Sequence, residues 1–268
     1  TVETDVFTLT TSDGTVSSAP ATITIEINDD TPLAEPDVNA IDEGATTAVT
    51  GDVLSNDAAN ADTPASFVSW DSTTASYGTF TDTGAGTYSY ALNSALAAVD
   101  SLDEGETLTE TFNYIMQDAD GDQSPETLTI TVNGTNDGPI ITTDSGNPDG
   151  GNDVVLESGL ATGSDAAANT EFAEGTFQVT DPDGLDDIAS VTINGTIIAI
   201  ADLGNDNAVS GASGALTVTA FNSTTGVATY TYELTSATTD IATTVETDVF
   251  TLTTSDGTVS SAPATITI

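Results

Sequence analysis

No side chain in this sequence can carry a positive charge. Lys, Arg and His are absent, whereas Asp and Glu together number 43, which gives a formal net charge of −43. Repulsion between these carboxylates opposes compaction, and no internal cation offsets it. Yet 37% of the residues are hydrophobic, which does not fit the composition of a disordered acidic segment. The two observations together indicate a folded chain that takes positive charge from solution, and divalent cations are the simplest source.

The missing residue types also exclude several classes of function. Without His and Cys, the chain lacks the usual nucleophile–base pairs and the usual ligands of zinc, copper, haem and iron–sulfur centres. Without basic residues it repels nucleic acid and anionic membranes, so neither is an expected partner. No apolar run is long enough for direct membrane insertion. We therefore expect no enzyme, with the paired carboxylates of a glycosidase as the one catalytic alternative.

Apolar residues alternate with Thr or Ser along much of the chain, the pattern of strands with one buried and one wet face. Turn signals such as Asp120-Gly121 and Asn194-Gly195 separate these stretches. Short strands at this spacing predict an all-β fold built of antiparallel β-sandwich domains. One short helix is expected within residues 94–102. The clearest alternating stretches are Ala21–Ile27, Leu128–Val132, Leu216–Ala220 and Tyr230–Leu234.

Residues 1–25 recur letter for letter as residues 244–268. An identical run of this length indicates one full period of a tandem array plus an overlap into the next copy. Repeated modules usually supply length or many weak contacts and seldom host one reaction centre. We therefore interpret residues 1–30 as the C-terminal strands of a preceding repeat.

Two polar segments mark the expected domain boundaries. Asn28–Pro32 follows one alternating strand, Asn136–Pro139 follows another, and each contains a proline that stops the strand from continuing. The sequence thus predicts three parts: the preceding strands at 1–30, a first sandwich at 31–136 and a second at 137–268.

Aspartates cluster at two turns between predicted strands. Calcium takes six to eight oxygen ligands, and carboxylates supply them at flexible distances. An isolated Asp-Gly pair, such as Asp13-Gly14 or Asp256-Gly257, is most simply a turn, because Asp caps it and Gly accepts a positive φ. A triple cluster is different, since crowding like charges costs energy without a cation. The predicted calcium ligands at these turns are Asp118, Asp120 and Asp122 in the first and Asp181 and Asp183 in the second, where Asp186 and Asp187 follow closely.

The aromatic residues of the first predicted sandwich admit two interpretations. They form either its core, which we favour, or a shelf on which sugars stack. The residues concerned are Trp70, Tyr77, Tyr88, Tyr90, Phe112 and Tyr114.

Several stretches resemble known repeat families. Gly105–Phe112, Asp118–Asp122 and Leu128–Pro139 look like the closing half of a VCBS repeat. Glu43–Gly44 and Gly51–Asp57 resemble the opening half and the bacterial cadherin-like modules. Segments of the second sandwich are similar to the repeats of type I-secreted agglutinin-like proteins, namely Ala173–Phe177, Val179–Leu185, Val191–Ile193 and Gly226–Tyr232.

The resemblance implies the extender region of a giant bacterial surface adhesin, with Ig-like or cadherin-like sandwiches that fold on extracellular calcium. In cadherin-like chains an acidic linker, an early Glu of the next module and loop aspartates hold calcium at each joint. The first joint would use Asn28, Asp29, Asp30 and Glu43. The second would use Asn136, Asp137 and Glu157, joined by Asp181 and Asp183. The alternative is that both linkers are simply solvated.

We therefore expect an extracellular structural protein at the cell surface, stiffened by calcium, that serves adhesion or biofilm formation. Its expected partners are neighbouring repeats of the same protein and other copies in a fibre or matrix. Two further alternatives remain at this point. One is a self-assembling filament subunit joined by strand complementation through residues 1–30, and the other is a carbohydrate-binding module.

Overall fold

The computed structural model describes residues 2–143, 154–239 and 246–268. Its chain divides into two compact units. The first unit comprises Thr1–Val99 and Glu106–Asn133, and the second comprises Asp100–Gly105 and Gly134–Ile268.

The first unit contains nine strands in three sheets. Strands β3, β9, β8 and β5 form a four-stranded sheet in that order, and β4, β7 and β6 form a three-stranded sheet. The pairing is antiparallel except between β3 and β9, which run parallel. The strands are β1 (Val2–Leu9), β2 (Ala21–Asn28), β3 (Asp37–Asp42), β4 (Val49–Asp52), β5 (Ser66–Trp70), β6 (Gly78–Gly84), β7 (Thr87–Leu92), β8 (Thr107–Gln117) and β9 (Gln123–Asn133).

An aromatic core joins the two larger sheets of the first unit. Phe80 of β6 stacks on Phe112 of β8 with ring centroids 4.1 Å apart. Trp70 of β5 meets Phe80 edge-on at 4.9 Å, and its ring also contacts Tyr114. Tyr88, Tyr90, Phe112 and Tyr114 are buried, whereas Trp70 and Tyr77 are half-buried. The prediction that these aromatic residues form the core is therefore confirmed.

Strands β1 and β2 form a separate antiparallel hairpin of the first unit. They pair along their whole length, from Val2 opposite Asn28 to Leu9 opposite Ala21. Within the described residues no third strand joins this sheet.

The second unit contains a five-stranded sheet in the order β10, β11, β16, β15, β14 and a four-stranded sheet in the order β13, β12, β17, β18. All its pairs are antiparallel. The strands are β10 (Ile140–Thr143), β11 (Phe172–Thr180), β12 (Ser190–Ile193), β13 (Thr196–Ala199), β14 (Asn207–Ser210), β15 (Gly214–Asn222), β16 (Val227–Leu234), β17 (Val249–Ser255) and β18 (Ala264–Thr267).

The core of the second unit follows from the alternation along its strands. Every second residue is buried along β16 and in the first half of β15, and Phe250 and Leu252 on β17 are buried too. Tyr232 of β16 meets Phe250 edge-on across the core, with ring centroids 5.9 Å apart. The two sheets thus pack face to face around one apolar layer.

The buried carboxylate of Glu110 ties a loop of the first unit to a core tyrosine. Glu110 accepts hydrogen bonds from the backbone of Ser76 and Tyr77 and from the Tyr90 hydroxyl. Because every neighbouring donor is a backbone amide or a hydroxyl, this buried charge is stabilised without any basic residue.

The all-β prediction is confirmed, with tandem sandwiches whose strands are antiparallel except for β3 and β9. All four alternating stretches quoted from the sequence lie within strands, namely β2, β9, β15 and β16. The helix expected within 94–102 is present as α1 (Ala97–Asp100). Two short 3-10 helices, Glu157–Gly159 and Ile200–Asp202, complete the regular structure of the described residues.

Candidate metal centres

Five aspartates of the first unit meet at the turn between β8 and β9; we call them the first acidic cluster. One carboxylate oxygen from each of Asp29, Asp120 and Asp122 lies within 4.8 Å of the other two. The same holds for Asp62, Asp118 and Asp120, so that Asp120 belongs to both groups. A backbone hydrogen bond holds two of these segments together, since the Ala119 amide donates to the carbonyl of Asp62.

Asp118 is the buried centre of the first acidic cluster, with only 2% of its surface exposed. Its Oδ1 closes the turn by accepting hydrogen bonds from the amides of Gly121 (3.0 Å) and Asp122 (2.8 Å). Its Oδ2 is buried and has no hydrogen-bond partner when the neighbouring carboxylates are ionised. A buried carboxylate oxygen without a donor is costly, so this atom calls for a proton or a cation.

The charge crowding is visible in two pKa values. A proton shared with the Asp118 carboxyl, together with desolvation and the charges of Asp118 and Asp29, raises the pKa of Asp120 to about 6. Desolvation, followed by the charges of Asp29 and Asp118, raises the pKa of Asp62. Both shifts mean that ionising these carboxylates costs free energy when no cation is present. A bound cation would favour the ionised carboxylates and would therefore lower their pKa values.

The second acidic cluster consists of Asp181, Asp183 and Asp187 in the loop after β11, each with one oxygen within 4.8 Å of the others. The Asp183 amide donates to Asp181 Oδ1 at 3.1 Å, which holds the loop in a tight turn. One oxygen of each residue, Asp181 Oδ2, Asp183 Oδ1 and Asp187 Oδ2, is buried without a hydrogen-bond partner.

The carboxyl pKa values of the second cluster are raised, as they are in the first. Burial and then the charges of Asp183, Asp187 and Asp256 raise the pKa of Asp181 to about 6. Burial and then the charge of Asp256 raise the pKa of Asp187. Three unpartnered oxygens and two raised pKa values in one loop make this cluster a candidate cation site.

Residues of the segment before β10 fold onto this second cluster. The Asp137 amide donates to Asp183 Oδ2 at 2.7 Å, and Asn136 Nδ2 donates to Asp256 Oδ2 at 3.0 Å. Burial, followed by the charge of Asp183, raises the pKa of Asp137. Asp137 therefore lies beside Asp183, and Asn136 lies beside Asp256.

Calcium fits the donor set of both clusters. Every side-chain ligand available is an oxygen, and hard cations such as calcium take carboxylate and carbonyl oxygens. Two oxygens that each lie about 2.3–2.6 Å from one calcium ion are at most about 5 Å apart. The carboxylate oxygens of each group lie within 4.8 Å of one another and so satisfy this limit.

Glu43 does not join Asp29 and Asp30, so the pairing predicted for the first joint needs correction. Glu43 follows the end of β3, and its amide donates to the carbonyl of Asn133, at the far end of β9. The first acidic cluster lies before the start of β9, and eleven residues at about 3.3 Å each separate the two ends. Glu43 is buried, and its carbonyl accepts a hydrogen bond from the Ser94 hydroxyl.

Glu157 is likewise remote from Asn136 and Asp137. It begins a 3-10 helix whose neighbouring residue Leu156 donates to the carbonyl of Thr170, just before β11. The second acidic cluster lies after β11, nine residues further along the strand. The Glu157 carboxylate instead accepts hydrogen bonds from the side chain and backbone of Thr238, which lower its pKa.

The remaining predicted ligands of the first joint lie at the edge of the first cluster. Asn28 is the exposed last residue of β2 and pairs with Val2. Asp30 Oδ2 accepts a hydrogen bond from the Ala61 amide at 3.1 Å, which anchors the loop that carries Asp62. Neither residue belongs to one of the three-carboxylate groups found in the described part of the chain.

Sequence reasoning left three residues out of the predicted sites. Asp62 is isolated in its loop, and only the fold brings it to Asp118. Asp187 follows Asp183 closely and belongs to the aspartate cluster seen in the sequence, but it is not among the predicted ligands. Asp256 was interpreted as a simple turn, but the structure places Asn136 against it, 120 residues away in sequence.

The family model of the bacterial cadherin-like domain matches residues 28–134. This range covers both larger sheets of the first unit and its acidic cluster, and the match supports a cadherin-like repeat in this part of the chain. No curated protein matches the sequence significantly.

The chain is similar to solved extracellular domains that are distant from it in sequence. The extracellular domain of protocadherin gamma B4 is 13% identical, with a TM-score of 0.47, over 99% of this chain and 36% of that one. Cadherin domains 1–4 of protocadherin gamma B7 are 18% identical, with a TM-score of 0.42, over 100% and 57%. The human desmocollin-1 ectodomain is 12% identical, with a TM-score of 0.33, over 93% and 39%. The present chain thus spans about a third to somewhat over half of these three proteins.

Among the described residues, no helix combines the length and the apolar character needed to cross a bilayer.

Proposed function

We propose that this chain is a calcium-rigidified structural repeat of an extracellular bacterial adhesin or matrix polymer. In this role it mediates cell adhesion or biofilm formation through tandem repetition and carries no catalytic site. The parent protein would be a surface adhesin of the type I-secreted, VCBS-containing kind, and its partners would be neighbouring repeats and other copies in the matrix.

The observation that carries the proposal is the buried, unpartnered Oδ2 of Asp118 amid four other aspartates. The chain has no basic residue to neutralise it. A proton shared with Asp120, whose pKa is raised, would satisfy this oxygen in acid. At neutral pH a divalent cation is the remaining source of positive charge.

Calcium at these positions would stiffen the chain where it enters each sandwich. Asp29 belongs to the leading segment of the first unit, and Asn136 and Asp137 belong to that of the second. An ion shared between such a segment and a loop of the same unit restricts backbone rotation there. Restricting rotation at every repeat turns a flexible string into a semi-rigid spacer.

The expected affinity suits an extracellular location. Extracellular calcium modules bind with dissociation constants of about 10⁻⁴–10⁻³ M, close to the calcium concentration outside cells. Sites of this strength stay empty in the cytoplasm, so the charge repulsion would keep the chain loosely folded until export. The cadherin-like match of residues 28–134 supports the same location.

Isothermal titration calorimetry on the whole chain tests the proposal. Calcium should bind at both clusters. The D118N/D120N variant should lose the sites of the first unit, and D181N/D183N those of the second, with at least tenfold weaker binding at the altered cluster. The matched control is E104Q/E106Q, which removes two exposed charges that belong to neither cluster. Equal binding isotherms for all four proteins would contradict the proposal.

A further inference from the structure

Two carboxylates that belong to neither acidic cluster meet around a buried tyrosine of the first unit. The hydroxyl of Tyr114 on β8 contacts the carboxylate of Asp37, the first residue of β3. It also contacts the carboxylate of Asp57, in the loop after β4. Tyr114 is fully buried, and Asp37 is half-buried. We call Asp37, Asp57 and Tyr114 the tyrosine cluster.

The tyrosine cluster holds more hydrogen-bond acceptors than donors. The Tyr114 hydroxyl can donate only one hydrogen bond. Both carboxylate oxygens of Asp57 lie 3.2 Å from it, and the carbonyl oxygens of Glu35 and Val53 lie at 3.1 and 3.3 Å. Asp57 Oδ1 also accepts a hydrogen bond from the Glu35 amide at 2.8 Å. In contrast, Asp37 Oδ2 is buried and has no hydrogen-bond partner among the described residues.

The titratable groups that face Asp37 are acidic or neutral, since the chain has no basic residue. They are Asp57 in the loop after β4, Asp52 at the end of β4, Glu126 on β9, and the hydroxyls of Tyr114 on β8 and Tyr88 on β7. Burial, together with the charges of the three carboxylates, raises the pKa of Asp37 to about 6, although the Tyr114 hydrogen bond acts to lower it. An ionised Asp37 is therefore costly in the folded chain.

We infer that Asp37 binds a proton in mildly acidic solution and that this proton stabilises the fold of the first unit. A protonated carboxyl carries its own hydroxyl donor, so the buried oxygen no longer needs one from a neighbour. The repulsion between Asp37 and the neighbouring carboxylates ends at the same time. The proton thus strengthens the contact between the segment before β3 and the loop after β4, which Leu33 and Ala58 already join through two backbone hydrogen bonds.

The direction of the pH effect follows from the pKa of Asp37 in the two states. The ordinary value of 3.8 applies to the unfolded chain, whereas the pKa in the folded first unit is about 6. The folded state binds the proton more tightly, so the stabilisation is complete below about pH 4 and is lost as the pH rises through 6. Acid acts in the opposite direction at a calcium site, because protons compete with the metal for the carboxylates.

Thermal unfolding of the whole chain, followed by tryptophan fluorescence, tests this inference. The one tryptophan, Trp70, lies in the first unit against Tyr114, so its emission reports on that unit. Asp37→Asn mimics the neutral carboxyl and should raise the melting temperature of this unit by about 3–6 °C at pH 7.5. The advantage should shrink at pH 5 and vanish near pH 4, where the wild type itself binds the proton. The matched control Asp71→Asn, an exposed change in the same unit, should have little effect at any pH.

The titration of the carboxyl group gives a second test that does not depend on stability. The side-chain ¹³C signal of Asp37, assigned by its absence in Asp37→Asn, should titrate with a midpoint near pH 6 in the folded chain. Asp57→Asn removes the carboxylate whose charge acts most strongly on Asp37, and it should lower this midpoint by roughly half a pH unit. Calcium is kept at one saturating concentration throughout, so a failure here leaves the calcium proposal untouched.

Three results would overturn the inference. The first is an advantage of Asp37→Asn that stays constant between pH 4 and pH 7.5, or an Asp37 midpoint near the ordinary value. The second is an Asp37 midpoint that Asp57→Asn leaves unchanged. The third is an Asp37→Asn variant that melts below the wild type at pH 7.5, because the ionised carboxylate would then stabilise the fold, as it does in a cation site.

Discussion

The two copies of the 25-residue sequence make a comparison in which local sequence is constant and only the surroundings change. The C-terminal copy finds β12 on one side and the core of the second unit beneath it, so Phe250 and Leu252 are buried. The N-terminal copy forms the same hairpin, yet Phe7 and Leu9 stay half-exposed. The difference teaches that this sequence specifies the hairpin, whereas a partner surface decides how much stability it contributes.

The polar residues of the two copies differ in the same way. Asp13 and Asp256 close the same turn, and backbone hydrogen bonds from Val16 and Thr15 lower the pKa of Asp13 to about 2. Burial acts to raise the pKa of Asp256, but the Asn136 amide and the turn donors outweigh it and hold that pKa below its ordinary value. Only the C-terminal copy therefore connects its turn to an acidic cluster.

The largest expected difference between the copies is in core packing. Phe250→Ala should destabilise the second unit by about 3–5 kcal/mol, because it removes a fully buried ring and leaves a cavity. Phe7→Ala, the same change in the exposed copy, should cost less than about 0.5 kcal/mol. Urea unfolding of the two variants measures both values. Equal losses would show that the N-terminal copy is packed in solution, contrary to the comparison.

The next difference concerns a buried carboxylate. Asp248 accepts hydrogen bonds from the backbone of Ala212, Ser213 and Gly214 and from the Tyr232 hydroxyl at 3.0 Å. Asp248→Asn removes the charge that these donors satisfy and should cost about 2 kcal/mol. Asp5→Asn is the matched control and should leave the free energy of unfolding unchanged. If Asp248→Asn left the free energy of unfolding unchanged, the hydrogen bonds of Asp248 would contribute nothing to stability.

The same carboxylate predicts a pH dependence. Burial acts to raise the pKa of Asp248, but its hydrogen bonds outweigh burial, so that the pKa lies below the ordinary value of 3.8. Its stabilising contribution is therefore complete above about pH 4–5 and is lost as the pH falls through 3.8 and below. Unfolding measured between pH 3 and pH 7 should show a smaller wild-type advantage over Asp248→Asn at the acidic end. A constant advantage across this range would contradict the assignment.

The smallest expected difference is in metal affinity. The charge of Asp256 acts on Asp181 and Asp187, whereas Asp13 is in neither cluster. Asp256→Asn should weaken calcium binding at the second cluster roughly fivefold, or about 1 kcal/mol, while Asp13→Asn leaves it unchanged. Titration calorimetry of both variants checks this. An equal effect of the two changes would indicate general charge reduction and no specific site.

The sequence predicts the fold better than it predicts the site. Period-two alternation identifies strands such as β15 and β16 because one face of each is buried whatever its neighbours are. The acidic groups around Asp118–Asp122 and Asp181–Asp183 are visible in the sequence because their aspartates lie close together along the chain. Asp62 and Asp256 are missed because their partners come from distant loops.

Glu43 and Glu157 are misplaced for a related reason. Glu43 follows β3, and Glu157 lies in the segment between β10 and β11. Sequence distance does not tell at which end of a sandwich such a segment lies. The parallel pairing of β3 with β9 carries Glu43 to the end opposite the first acidic cluster. The end at which such a residue lies is known only from the order and direction of the strands.

Differential scanning calorimetry of the whole chain tests the role of calcium most directly. We expect 10 mM calcium to raise the melting temperature by roughly 5–10 °C, since a ligand at about 100 times its dissociation constant adds about 2.7 kcal/mol. Sodium chloride at matched ionic strength should reproduce only a small part of the shift, because it screens charges without binding in the clusters. Identical melting curves in calcium, in chelator and in matched sodium chloride would show that the aspartates hold no calcium ion.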